Sequence, residues 1–379
     1  MSQSAGIYIH IPFCRTRCSY CDFATGIYES SLADRYVDAV IAEIKSAPDG
    51  DSWLAFDTIY FGGGTPSMLS AEQLERILIT VRQRFSIEAS AEVTMEMNPG
   101  TVSIDTLKAF RELGVNRASF GAQSFDDREL ARLGRSHSVA DTLKTFADLR
   151  TAGFDNVSFD LIAGLPGQTI SQWQQNVERA LRLAPEHLSF YLLEVHEGTP
   201  LAEHIRKGIQ PIPDDDLAGE MYEHMLVQAS DHGYEHYEIS NLARPGFRSR
   251  HNTKYWTSSP YAGFGCSAHS YDGKNKRWSN ERDVRRYVDL VTQRVSPVVD
   301  EQLLSNSAVR AEAVFLGLRV MSGINLSAYR ELFGVDLLEQ YNEDLTRFTE
   351  AGLLQLDGES LRLTRAGALL SNEVFAAFV

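Results

Sequence analysis

Six short runs of β-branched and aromatic residues, separated by segments of helical periodicity, narrow the folds open to this chain more than any other feature. They are GIYIHI (6–11), DTIYFG (57–62), EVTMEM (92–97), RASFGAQ (117–123), VSFDLIAG (157–164) and HLSFYLL (187–193). In the first, Ile7, Ile9 and Ile11 alternate and mark one face. Between the second and third, Ser70 is a predicted helix cap with Gln73 three residues on, and Leu74, Ile77, Leu78, Val81 and Phe85 follow at helical spacing. Strands that alternate with helices form right-handed βαβ units around a parallel sheet. Six such units are too few for a closed eightfold barrel, so an α/β partial (β/α)6 barrel is expected over residues 1–210.

The pattern changes beyond residue 210. PIPDDD (211–216) is predicted to be a linker running into a helix, and 240–280 to hold loops and short strands. Residues 211–299 are expected to cap the barrel, with SPVVDEQL (296–303) as a second linker. Residues 300–379 then form a small winged-helix-like α+β domain. Its sign is the hairpin LLQLDGESLRLT (353–364), which turns at Asp357-Gly358.

Composition excludes several functions. With a net charge of −15 the chain is a poor general ligand for nucleic acid. A DNA-reading regulator would use the small C-terminal domain, but its segment 336–351 sets Asp336, Glu339, Glu343, Asp344 and Glu350 against Arg347. Four cysteines in 379 residues make no secreted disulfide framework. No apolar run approaches 18 residues, and MSQSAGIYIHIPF lacks the basic start and apolar core of a signal peptide. A cytoplasmic protein in a reducing compartment is expected.

Three of the four cysteines lie in CRTRCSYCDF (14–23), directly after the first strand. A disulfide would pair two and strand the third. Structural zinc takes four ligands, and only His10 and Asp22 are near enough in sequence to complete the set. An iron–sulfur cluster fits the CxxxCxxC spacing better, since three thiolates can hold three irons of a cubane and leave the fourth open. The glycine run YFGGGTPS (60–67) follows the second strand and lets backbone groups approach a ligand closely. Alone it could be a tight turn. Both motifs, however, fall at C-terminal strand ends, where barrel active sites form.

CxxxCxxC followed by GGGTP resembles the radical S-adenosylmethionine (SAM) superfamily, in particular the oxygen-independent coproporphyrinogen III oxidase group, over essentially the whole chain. Within that group the resemblance is to the HemW heme chaperone branch. The oxidases carry a further cysteine where this chain has Phe23, and an extension before the first strand, which here begins within ten residues. The resemblance implies a [4Fe–4S] cluster on Cys14, Cys18 and Cys21 whose open iron takes SAM. It places Tyr8 and Tyr20 beside the cofactor, Gly63, Gly64 and Thr65 at its methionine moiety, and Glu96 at a ribose hydroxyl. Gln123, Arg135 and Asp160 would follow at later strand ends. It further implies heme as cargo and apo heme proteins such as respiratory enzymes as recipients, with no nucleic-acid partner; peripheral membrane association and a homodimer stay open. Decarboxylation of coproporphyrinogen III is the alternative activity.

The segment RPGFRSRHNTKYW (244–256) carries Arg244, Arg248, Arg250 and Lys254 without an acid. A basic rim of this kind suits the two propionates of heme. HNTKYW matches the HNxxYW motif of the heme chaperones, which makes His251, Asn252, Tyr255 and Trp256, with Arg248 and Arg250, the candidate heme residues. Cys266 and His269 in GFGCSAHS are rival ligands.

Overall fold

The computed structural model describes residues 4–47 and 55–378. Each of the six runs forms a strand: β1 (Ala5–Ile11), β2 (Phe56–Gly63), β3 (Ile87–Met97), β4 (Arg117–Gln123), β5 (Val157–Ala163) and β6 (His187–Leu192). Consecutive members pair in parallel in that order. The helices between them include α1 (Ser30–Ser46), α2 (Ala71–Arg84), α3 (Ile104–Glu112), α4 (Val139–Thr151) and α5 (Ile170–Leu183). Ser70 caps α2, and the Gln73 side chain answers the Ser70 N–H in a capping box.

The alternation read in β1 is that of a barrel wall. Ile7, Ile9 and Ile11 are fully buried and share a core with Tyr36, Val37 and Val40 of α1 and Leu74, Ile77 and Leu78 of α2. Burying one such aliphatic side chain contributes about 1.5–3 kcal/mol. The opposite face of the sheet is polar and also buried: Thr58, Glu92, Thr94, Arg117, Ser119, Ser158, His187 and Ser189. A partial barrel with a polar interior is the result.

The sheet does not stop at β6. After α6 (Asp215–Asp231), β7 (Glu235–Glu238) and β8 (Asn241–Ala243) add antiparallel strands at the β6 edge. A short helix, α7 (Arg250–Trp256), then leads to β9 (Tyr261–Phe264), which pairs in parallel with β1 on its free side. β10 (His269–Tyr271), β11 (Lys276–Asn280) and β12 (Val298–Leu303) continue outward, giving twelve strands in one sheet. Residues 211–299 are therefore not a separate cap: their strands extend the barrel sheet, and Met221, Tyr222, Leu242, Phe264 and Tyr287 belong to its core. SPVVDEQL is likewise no linker but carries the edge strand β12.

The C-terminal unit has its own core, including Val314, Leu318, Tyr329, Phe348, Leu361 and Phe375. It comprises α8 (Asn306–Arg319), β13 (Ile324–Asn325), α9 (Leu326–Phe333), α10 (Asn342–Glu350) and the predicted hairpin β14 (Leu354–Asp357) and β15 (Ser360–Leu363). Gly358 at the turn has φ +60, a conformation open to glycine at little cost. Among the described residues no helix is long and apolar enough to cross a membrane.

Candidate functional site

β1 runs on into Phe13–Cys14, and the chain returns at Gly26–Ile27 to pair in parallel with those two residues. The loop between is tied down at several points. Gly26 N–H donates to Pro12 O (2.7 Å), Ser19 N–H to Leu133 O (3.0 Å) and Leu201 N–H to Ser19 O (2.8 Å). The His10 ring bonds with Tyr8 Oη (3.1 Å) and with Ala24 O (3.0 Å), bracing the loop from below.

The loop closes one side of a cavity of about 510 Å³ at the C-terminal ends of the parallel strands. Cys14, Cys18 and Cys21 line it, as do Tyr20, Gly63, Gly64, Glu96, Gln123, Arg135 and Asp160. Two predicted residues stand outside the lining. Thr65 is buried behind Cys14, with its hydroxyl 3.6 Å from the thiol. Tyr8 lies one layer lower, stacked on Tyr60 at 6.1 Å.

The glycine run has no room for side chains. A Cβ on Gly64 would stand 2.8 Å from Phe13 O and 3.0 Å from Cys14 Sγ, and Gly63 has φ +113. Arg135 ties the site together: it donates to Asn98 Oδ1 (2.7 Å), Gly121 O (2.8 Å) and Cys18 Sγ (3.4 Å). Glu96 accepts from Tyr60 Oη (2.7 Å) and the Gly63 N–H (3.1 Å), yet burial pushes its carboxyl up to about 7. Gln123 holds φ +62, unusual for a residue with a side chain, and its buried Oε1 has no donor.

These residues fit a [4Fe–4S] cluster with SAM. Three thiols share one loop, and an unsatisfied amide oxygen and a poised carboxyl face the same cavity. Among the described residues no three His, Cys, Asp or Glu side chains converge as ligands of a single ion. A cubane offers a separate iron to each thiolate, so its ligands stand apart.

Sequence reasoning missed Asn98, Tyr60 and Arg319. Asn98 could have been found, since it lies two residues beyond Glu96 in the strand alternation. Arg319 could not: it comes from the end of α8, and it lines the same cavity.

The HNTKYW segment is not brought to this cavity. Ser249 caps α7 by accepting from the Asn252 N–H (3.3 Å), and the helix packs at the N-terminal end of the barrel. His251 is buried. Its ring bonds with Thr58 Oγ1 (2.8 Å) and Tyr255 Oη (2.9 Å), and its backbone N–H donates to Glu92 Oε1 (3.1 Å). Burial, aided by the Lys254 and Arg117 charges, holds the imidazole down to about 3, so it is neutral. Neither ring nitrogen is open to iron as placed.

The expected basic rim is also altered. Arg248 pairs with Glu235 (3.0 Å), Arg250 with Asp57 (3.0 Å) and Lys254 with Asp57 (2.6 Å), while Arg244 lies over the Tyr234 ring. Acids on other strands pair with three of its four cations. Of the rivals, Cys266 is fully buried against Tyr36 with its thiol pushed up to about 12, and His269 is exposed on β10.

Trp256, the last residue of α7, connects the two regions. The Arg319 guanidinium lies 4.4 Å over its ring and also binds the fully buried Glu238 (2.8 Å).

The chain matches the Radical SAM superfamily over residues 8–180 and the HemN C-terminal domain over 304–370. It is 37% identical over 373 residues to the heme chaperone HemW of Bacillus subtilis (strain 168), covering 98% of each chain. It is 34% identical to the mitochondrial radical S-adenosyl methionine domain-containing protein 1 of Bos taurus, covering 97% of this chain and 85% of that one. Among solved structures it resembles the coproporphyrinogen III oxidase HemN of Escherichia coli, with a TM-score of 0.86 and 23% identity, covering 100% of this chain and 90% of that one.

Proposed function

The chain belongs to the HemW heme chaperone family within the radical SAM superfamily, and from that membership we propose that it is a cytoplasmic heme chaperone. It binds heme and passes it to heme-dependent apo-proteins, respiratory enzymes among them, while carrying a SAM-binding [4Fe–4S] cluster. The observation that carries the cluster assignment is the convergence of Cys14, Cys18 and Cys21 with the strand-end polar residues on one cavity. When bound, a [4Fe–4S] cluster with an open iron supplies a coordination site for the amino and carboxylate groups of SAM.

The protein's own residues do the rest. Gly63 and Gly64 let the backbone close on a methionine moiety, and Glu96 and Gln123 offer oxygens to hydroxyl or amino donors. Arg135 is a positioning residue, because its guanidinium fixes Cys18 against the ends of β3 and β4. Tyr20 and Asp160 also line the cavity.

Heme binding depends on the 251–256 segment. Iron ligation by His251 requires α7 to leave the barrel end and Tyr255 and Thr58 to release the ring. Trp256 needs no such movement, since it already faces an open cavity.

Two experiments test this reading. Anaerobic reconstitution should give about four irons and four sulfides per chain. Incubation with SAM, a reductant and coproporphyrinogen III should give no catalytic turnover. Formation of protoporphyrinogen at turnover would assign the chain to the oxidases, to which the likeness in hand is one of fold.

A further inference from the structure

We infer that the cleft between the end of α7 and the C-terminal unit is the seat of the heme, an inference that rests on the heme-chaperone reading. The cleft measures about 760 Å³, within the roughly 300–1,000 Å³ usual for small-molecule sites. Trp256, Pro260 and Tyr271 form one wall; Tyr329, Leu332 and Phe333 of α9 form the other. Leu332 is 73% exposed, so an apolar side chain of this wall stands uncovered.

The polar features of the cleft suit a flat apolar plate with carboxylates along one edge. The buried Trp256 indole N–H has no acceptor. Lys274, on the cleft wall, is exposed and makes no ion pair among the described residues. Asp272, the acid among the lining residues, directs Oδ1 to the N–H groups of Lys274, Asn275 and Lys276. An unpaired cation and an orphaned donor suit a propionate carboxylate of heme.

The lining holds no His, Cys or Met, and the hydroxyls of its two tyrosines are engaged, Tyr271 donating to Lys274 O (2.8 Å) and Tyr329 to Gln340 Oε1 (3.5 Å). The macrocycle and its propionates, not the iron, are therefore the handle, which suits a carrier that must release its cargo.

The test is titration of the full chain with hemin and with metal-free protoporphyrin IX. Both should bind, with dissociation constants within about threefold of each other. Leu332→Asp, at an exposed position the fold tolerates, should weaken hemin binding about tenfold or more by setting a carboxylate against the ring. Lys274→Glu should weaken it about threefold. Wild-type hemin affinity in both variants overturns the cleft while leaving the heme reading intact. Binding of hemin without binding of the metal-free porphyrin overturns it as well, because iron would then be the handle. A wild-type chain that binds no hemin overturns both.

Discussion

The cysteine loop and the HNTKYW helix are both short, chemically marked stretches, and they differ in where their partners come from. Cys14, Cys18 and Cys21 lie within eight residues, so one loop closed by the return of the chain at Gly26 carries all three to one cavity. His251 and its neighbours are engaged by Thr58, Glu92, Asp57 and Glu235, of which only Glu235 is near in sequence. Local chemistry survives folding in the first case. In the second, folding redirects it, so that a basic loop becomes a plug at the barrel end, with His251 and Lys254 buried and three of the four cations paired with acids.

The largest effect expected on this contrast is at the loop. Replacing Cys14, Cys18 and Cys21 together with alanine should abolish cluster reconstitution, read as iron and sulfide per chain, while the fold persists. Undiminished reconstitution would show that the cluster sits elsewhere. The converse test is His251→Ala, which removes the two ring hydrogen bonds and leaves a cavity. It should cost about 2–4 kcal/mol in urea unfolding and leave the cluster content unchanged. A loss below about 1 kcal/mol would mean that α7 is not a structural plug.

The same contrast explains what the sequence could reveal. The six strands were legible because period-two alternation needs only neighbours in sequence, and the barrel follows from their alternation with helices. Tyr20, Gly63, Glu96, Gln123, Arg135 and Asp160 were legible as a set through the family resemblance, and all six line one cavity. The strand β9 beside β1 was not, since Tyr261–Phe264 has no alternation to distinguish it from a loop. Nor was the contribution of Arg319 to the cofactor cavity, which depends on how the C-terminal unit docks. The arginines of 244–250 misled for a related reason: sequence shows a run of cations but not the acids that fold against it.

Glu43 offers a pH test of how a residue distant in sequence holds the GFGCSAHS turn. It reaches from α1 to the GFGCSAHS turn and accepts from Tyr287 Oη (2.5 Å), the Gly265 N–H (2.8 Å) and Asn280 Nδ2 (2.6 Å). Burial nevertheless raises its carboxyl to about 7. The folded state therefore binds more protons than the unfolded state between about pH 4.5 and 7, and stability falls as pH rises through that window. Glu43→Gln should flatten the slope, so that the wild type loses about 1–3 kcal/mol more than the variant across it. Parallel pH profiles for the two proteins would show that Glu43 does not set the slope.

The smallest effect is expected where the sequence suggested a large one. Arg250 stands beside the heme motif, and as a free cation it would pair with a propionate. It already donates to Ser90 O (2.7 Å) and Asp57 Oδ2 (3.0 Å), with 42% of its side chain exposed. A pair this exposed contributes about 0–1 kcal/mol. Lys254 retains its own contact with Asp57, so the carboxylate is not stranded when Arg250 is removed. Arg250→Ala should therefore lower stability by less than about 1 kcal/mol, and hemin affinity should change less than in Lys274→Glu. A larger loss of hemin affinity in Arg250→Ala than in Lys274→Glu would move the propionates from the cleft to the outer face of α7.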